Sequence, residues 1–357
     1  MMIRPISFLD LTPIERGSTS GEALRQATAL AQLADRLGYH RLWYAEHHNT
    51  TGLASSAPEI LIAHMGAYTS AIRLGSGGVM LPNHAPLRVI EAFRLLEALH
   101  PGRIDLGLGR APGTDGLTAF AMRRSREAMT GDDYPQQLAE LIAYYEGGFP
   151  AEHPFATIKT VPADVRMPPL WLLGSSDFSA QLAASAGLGF AFAAHIHKGG
   201  AVSALRQYRA EFVPSARNPA PRAILTVSVT VGETAEHAQA LSRVNDLFLL
   251  RLRTGQLGQY PSVEEARDYP WTSSERAFLA SMPLSYIAGD AAEVHRQVAA
   301  FADEAGADEI MVTTVLPNRA DRERTIAHLA REFGLQERTT AARELVGSRW
   351  RVGGVGE

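Results

Sequence analysis

The 357-residue sequence predicts an α/β fold, a (β/α)8 barrel of the TIM type with insertions at the carboxyl ends of its strands. Three observations predict it. Strand-like and helix-like segments alternate from end to end, and the strand-like runs number eight. Most of those runs are short and almost continuously apolar, as strands covered on both faces must be. Alternation with right-handed crossovers gives a parallel sheet, and eight repeats close it into a ring.

The strand-like runs, in order, are "IRPISFLD" (3–10), "YHRLWYAE" (39–46), "IRLGSGGVML" (72–81) and "RIDLGLG" (103–109). They continue with "PPLWLLGS" (168–175), "GFAFAAHI" (189–196), "RAILTVSVTV" (222–231) and "DEIMVTTVL" (308–316). The helices between them carry readable ends. Thr19 and Glu22 form a capping-box pair ahead of an apolar stripe that Gly38 stops. Pro86 opens another helix, which halts at Pro101-Gly102. Asp290 with Glu293 starts a third, closed by Gly306. Helical patterns also fill 201–212, 234–253 and 319–333.

Two stretches interrupt the rhythm. Residues 111–167 exceed what one crossover needs: "YPQQLAELIAYYEGG" supplies its helix, and the remainder reads as loops or short strands. Residues 254–288 form a second, polar insertion, and loops of that length commonly serve as lids. No boundary divides the chain. The expectation is one barrel domain over 1–335 with these two insertions, and a C-terminal tail over 336–357.

Composition narrows the function. The hydrophobic fraction is 46%, enough for a large core, and the net charge of −4 offers no basic face for a nucleic acid. The chain has no cysteine, which excludes disulfides, thiolate metal sites and a cysteine nucleophile, and suits a reducing cytoplasm. The first residues enter a strand with no signal-peptide core, and no apolar run reaches bilayer-spanning length. A cytoplasmic protein acting on small molecules, with no membrane and no nucleic-acid partner, is expected.

In such a barrel, ligand chemistry belongs at the carboxyl ends of the strands. "RIDLGLGRAPGTD" (103–115) strips the end of its strand to Gly107 and Gly109, then places Arg110. Bare backbone would admit a flat ligand, and a guanidinium would hold an anion. One strand on, "GSSDFS" supplies Ser175, Ser176 and Ser179 at the start of a helix, where hydroxyls, free N–H groups and the dipole favour an anion. Each feature also has a plain structural explanation, as a helix cap or a salt bridge. "EHHNTTG" offers Glu46, His47 and His48. Adjacent histidines on extended chain point apart, while Glu46 and His48 share a side with no third ligand, so no metal is expected. One histidine would carry a proton with a near-neutral pKa; the other fits a hydrogen-bonded structural role. Gly77-Gly78 inside a strand signals a bulge, strained backbone, close ligand approach or crowding in the core.

Together these motifs resemble the bacterial luciferase-like monooxygenase family of flavin-dependent barrels. The likeness runs from "ISFLDL" through "LWYAEHHN", the long segment ending "RIDLGLGRAPGTD", and "LWLLGSSDFSAQLAASAGLGFAFAAH" to "VTTVLPNRADR", and is nearest the branch carrying "GLGRAPGTD". The resemblance implies reduced FMN at the barrel mouth, its phosphate held by Arg110, Ser175, Ser176 and Ser179. It implies a ring packed on Gly77, Gly78 and Val79, with Gly77-Gly78 the candidate for a non-proline cis peptide. His47 matches the family's proton-transfer histidine. FMNH2 and O2, through a flavin C4a-hydroperoxide, would oxygenate a small organic substrate. With no G-x-G-x-x-G fingerprint in the chain, a separate NAD(P)H:flavin reductase is implied, as is a homodimer. Light-emitting members carry a cysteine and an acidic residue where this chain has Gly109 and Ser175, and Ala-His-Pro where it has His84-Ala85-Pro86, which argues against luminescence. The alternatives are hydride transfer with the deazaflavin F420, flavin binding without catalysis, and an aldolase, for which Lys198 lacks a suitable setting.

Overall fold

The structure, a computed structural model, describes residues 4–125, 133–256, 258–281, 286–314 and 316–338. Eight parallel staves close into a TIM barrel. They are β1 (Ile6–Asp10), β2 (Arg41–Tyr44), β3 (Arg73–Ser76) continued by β4 (Val79–Met80), and β5 (Ile104–Gly109). The ring goes on through β6 (Leu170–Gly174), β7 (Gly189–Ala193), β8 (Ala223–Val231) and β10 (Glu309–Thr313), which pairs with both β8 and β1. All eight sequence-predicted strands are present. The third is broken at Gly77-Gly78, so that β3 and β4 pair with successive parts of β5. One further strand, β9 (Tyr286–Gly289), lies outside the ring on the last four residues of β8.

The three helices with readable ends sit where those signals place them. Helix α1 (Ser20–Arg36) carries the reciprocal Thr19–Glu22 cap, and Gly38 follows it at φ +87°. Helix α3 (Pro86–Leu99) has Pro86 in its first turn. The others are α2 (Pro58–Tyr68), α4 (Gly116–Arg123), α5 (Tyr134–Glu146), α6 (Asp177–Ser185), α7 (Ala201–Ala210) and α8 (Ala235–Arg253). After these come α9 (Val263–Asp268), α10 (Ser273–Ser281), α11 (Ala291–Ala305) and α12 (Arg319–Glu332). None is long and apolar enough to cross a membrane, among the described residues.

The insertions differ from their expectation. Residues 111–167 hold α4 and α5 and, among the described residues, no strand. Residues 254–288, read as a polar insertion of the lid type, hold α9, α10 and part of β9. That segment is tied down: Tyr260 exchanges backbone hydrogen bonds with Ile14 and Arg16 and stacks on Phe248 at 4.0 Å. The expected tail lies outside the described residues beyond 338.

Inside the barrel the layers are distinct. At the amino-terminal end, buried Arg41 is held by Asp105 at 2.7 Å and by Glu309 at 2.7 and 2.9 Å. A buried cation persists only with such partners. Above it Trp43 and Trp171 meet edge to face at 5.8 Å, packed among Leu9, Ala191, Ile224 and Met311. Their neighbours in register are glycines: Gly75 beside Trp43, and Gly107 and Gly189 beside Trp171. This layer plugs the barrel and floors the space above it.

Candidate active site

A cavity of about 800 Å³, counted out to its open mouth, lies at the carboxyl ends of the strands. Its two ends differ in chemistry. One is apolar, built by Leu9, Trp43, Leu173 and Met311, with Gly77-Gly78, a cis peptide, in its wall. The other is polar, with Arg110, Ser175, Ser176 and Ser179.

Local sequence explains the polar end. Ser176 caps α6 in extended conformation, but its hydroxyl makes no bond to the helix backbone. It meets Ser179 Oγ at 3.3 Å. The first-turn N–H groups of α6 therefore have no side-chain cap, and such groups suit an anion. Arg110 follows β5 and its guanidinium lies 4.7 Å over the Phe178 ring, within the same serine turn. An arginine beside a helix amino terminus matches a phosphate.

The glycines before Arg110 answer first to protein packing. A Cβ on Gly107 would lie 2.1 Å from the Ser76 carbonyl oxygen, and one on Gly109 would lie 2.9 Å from Met80 Sδ. Only Gly109 of the two reaches the cavity. The bare end of β5 thus accommodates the broken third stave, a correction to the expectation that both glycines face a ligand.

The loop after β2 carries two histidines with separate surroundings. His48 Nε2 lies 2.8 Å from Glu46 Oε1, and His84 Nε2 lies 2.9 Å from the same oxygen. Met80 N donates to Glu46 Oε2 at 2.8 Å, so one buried carboxylate joins the loops after β2 and β4. His48 is the hydrogen-bonded one of the pair and shares a side with Glu46 as the spacing predicts. His47 is anchored by its backbone N–H to Ser55 O at 2.9 Å, while its Nδ1 is buried without a hydrogen-bond partner. Burial pushes its pKa down to about 4, against the near-neutral value expected. The ring is therefore neutral at pH 7, and burial disfavours its protonation.

The cavity wall gathers Gly77, Gly78, Arg110, Ser175, Ser176 and Ser179. The Val79 side chain turns away into the core beneath the helices, and His47 stands outside the wall. Sequence reasoning missed His195, a wall residue, and His84. Period-two alternation brings Ala191 and Ala193 of β7 to the cavity, but His195 lies in the turn beyond that strand, where the alternation no longer applies.

A family model described as luciferase-like monooxygenase matches residues 5–309. A protein of Escherichia coli strain K12 named luciferase-like monooxygenase is 43% identical over 308 residues, covering 86% of this chain and 90% of that one. The crystal structure of apo-MsnO8 superposes with a TM-score of 0.86 at 38% identity, covering 94% and 99% of the two chains. The oxygenating constituent of 3,6-diketocamphane monooxygenase from Pseudomonas putida, in complex with FMN, shares the fold with a TM-score of 0.69 at 15% identity over 94% of this chain and 100% of that one.

Proposed function

Because this chain belongs to the luciferase-like monooxygenase family, and is thereby an oxidoreductase of a flavin-dependent kind, we propose that it binds FMN and oxygenates a small organic substrate with O2. One observation carries the reading: a single cavity has an apolar end long on ring-sized surface and a polar end of arginine and helix-cap hydroxyls. FMN has the same two parts, a flat ring and a phosphate.

The residues fit the group. Arg110, Ser175, Ser176 and Ser179 would hold the phosphate, with the first-turn amides of α6. Gly77, Gly78 and the Val79 backbone would support the ring, where side chains have no room: a Cβ on Gly77 would lie 2.6 Å from Leu9. When bound and reduced, the flavin supplies the electrons that place one atom of O2 in the substrate and release the other as water. Trp43, Leu9, Leu173 and Met311 keep water from that end of the cavity. His47 remains the candidate for proton transfer, although burial holds it neutral and makes it a weak base at pH 7. A separate NAD(P)H:flavin reductase delivers reduced FMN, in the cytoplasm. The working unit is a homodimer, for which the exposed apolar face of α2 and α3 speaks.

The test is twofold. FMN, riboflavin and F420 are titrated against the unaltered chain and Arg110→Ala. A charge-assisted hydrogen bond is worth about 1.5–3 kcal/mol, so Arg110→Ala is expected to weaken FMN roughly ten- to a hundredfold and leave riboflavin unchanged. Then FMN, NADH, a flavin reductase and ¹⁸O2 are supplied with a panel of small organic compounds. Product carrying ¹⁸O supports the oxygenase; tight F420 binding with no label transfers the site to hydride chemistry, and flavin binding with no turnover makes it a carrier.

A further inference from the structure

The polar end of the cavity draws on three neighbouring staves. Arg110 follows β5, Ser175 and Ser176 follow β6, and the turn after β7 runs beside them. Two side chains outside the cavity wall tie these pieces together, Phe178 and His197.

Phe178 sits in the first turn of α6, between Asp177 and Ser179. Its ring is 39% exposed, yet the Arg110 guanidinium lies over it, 4.7 Å from the ring centre. At that distance the face of the ring attracts the cation. A long arginine side chain loses rotamer freedom when it grips a ligand, and one already laid on a ring loses less. His197 closes the turn after β7, its backbone N–H donating to the Ala193 carbonyl at 3.2 Å. Its ring rests on Gly200, where an added Cβ would lie 3.0 Å from Nδ1. From this seat Nδ1 stands 3.2 Å from the Ser175 carbonyl oxygen. A carbonyl only accepts, so this nitrogen carries the proton and donates it. The Ser175–Ser176 peptide is trans, and in a trans peptide the carbonyl and the following N–H point opposite ways. Holding the carbonyl therefore sets the direction of the Ser176 N–H, the first amide of the serine turn.

We propose that Phe178 and His197 are positioning residues of the phosphate end. Phe178 lays Arg110 over the amino terminus of α6, and His197 turns the Ser175–Ser176 peptide. The inference rests on the reading that this end holds the phosphate of FMN. It goes beyond that reading by naming the two side chains that fix the grip without touching the ligand.

Riboflavin, which has the ring without the phosphate, separates positioning from general support. Phe178→Leu is expected to weaken FMN about two- to fivefold, the strength of an exposed cation–π contact, and to leave riboflavin unchanged; Phe178→Tyr, which keeps a ring face, stays near the parent. His197→Ala is expected to weaken FMN about two- to tenfold, as one lost hydrogen bond, and His197→Asn, which keeps a donor near the place of Nδ1, recovers most of it. In the Arg110→Ala chain, Phe178→Leu is expected to cost nothing further, because it acts through Arg110, while His197→Ala still does. Unchanged FMN affinity in both variants overturns the proposal, as does an equal loss of riboflavin, or a Phe178→Leu effect that persists in full without Arg110. Should Phe178→Leu not fold, Phe178→Met, which keeps the bulk but not the ring, is held to the same outcomes. If the unaltered chain binds no FMN, or Arg110→Ala binds it as well as the parent, the reading of the phosphate end and this inference fall together. If Arg110→Ala weakens FMN and neither Phe178 nor His197 matters, only this inference falls.

Discussion

At the scale of the residue, Glu46 shows how one carboxylate sets the barrel mouth. It is 1% exposed in its side chain. Burial works to raise its pKa, but hydrogen bonds and charge from His84 and His48 and the Met80 amide outweigh it and hold the carboxyl below its ordinary range. His84 is the counterpart: burial works to lower it, and Glu46 raises it. The carboxylate's contribution is present above its ordinary pKa and is lost as pH falls through the depressed value. The imidazolium's is present below its ordinary pKa and is lost as pH rises through the raised value. The clasp is therefore complete between about pH 4.3 and 6.5. Glu46→Gln is expected to cost about 2 kcal/mol, lowering the melting temperature by several degrees in that window and by less at alkaline pH. Thermal melts of parent and variant across pH check this; a difference flat with pH would refute the clasp. Half of this unit was legible in the sequence, since a two-residue spacing on extended chain puts Glu46 and His48 on one side. His84 was not, because it reaches Glu46 across 38 positions through loops that carry no period. The depth that holds His47 neutral is likewise a property of the closed barrel.

At the scale of the element, the staves were readable because both faces of each are covered, which writes short continuous apolar runs into the chain. The glycines inside them carry a second message. A Cβ on Gly189 would lie 2.5 Å from Trp171 Cε3, and one on Gly75 would lie 2.5 Å from Trp43 Nε1. The indoles fill the barrel because neighbouring staves give up their side chains. Gly189→Ala is expected to destabilise by about 1–3 kcal/mol, the usual penalty of overpacking. Gly148→Ala, where no atom lies within 4 Å of the added carbon, is expected to be neutral or slightly stabilising. Urea unfolding of both variants measures the contrast, and equal midpoints would dismiss the steric account. Strand β9 and helices α2, α4, α9 and α10 escaped the sequence, the first two for identifiable physical reasons. Strand β9 is only half buried and lies within a polar stretch. Helix α2 is apolar nearly all round, so no stripe of period 3.6 stands out against a polar face.

At the scale of the whole molecule, that missing polar face has a consequence. Ile60 and Leu99 are each 65% exposed, on α2 and α3, with Tyr68 and Leu95 beside them on the same two helices at about half exposure. Leu95 and Leu99 are four residues apart, as are His64 and Tyr68, whose rings lie 4.6 Å apart. Residues at that spacing share one side of a helix. An outer face as apolar as the inner one needs a second cover, and large exposed apolar patches mark contact surfaces. A two-fold pair meets this need economically, since one patch serves both subunits. The doubly substituted Ile60→Glu/Leu99→Glu chain is expected to sediment as a monomer at micromolar concentration where the parent sediments as a dimer. Because α2 and α3 contribute no wall residue to the cavity, the monomer is expected to keep its FMN affinity within about threefold, a difference of ~0.7 kcal/mol. A parent that sediments as a monomer, or a variant that stays dimeric, would remove this face as the interface. A monomer that loses FMN would instead mean that the site depends on the partner through the loops that α2 and α3 support.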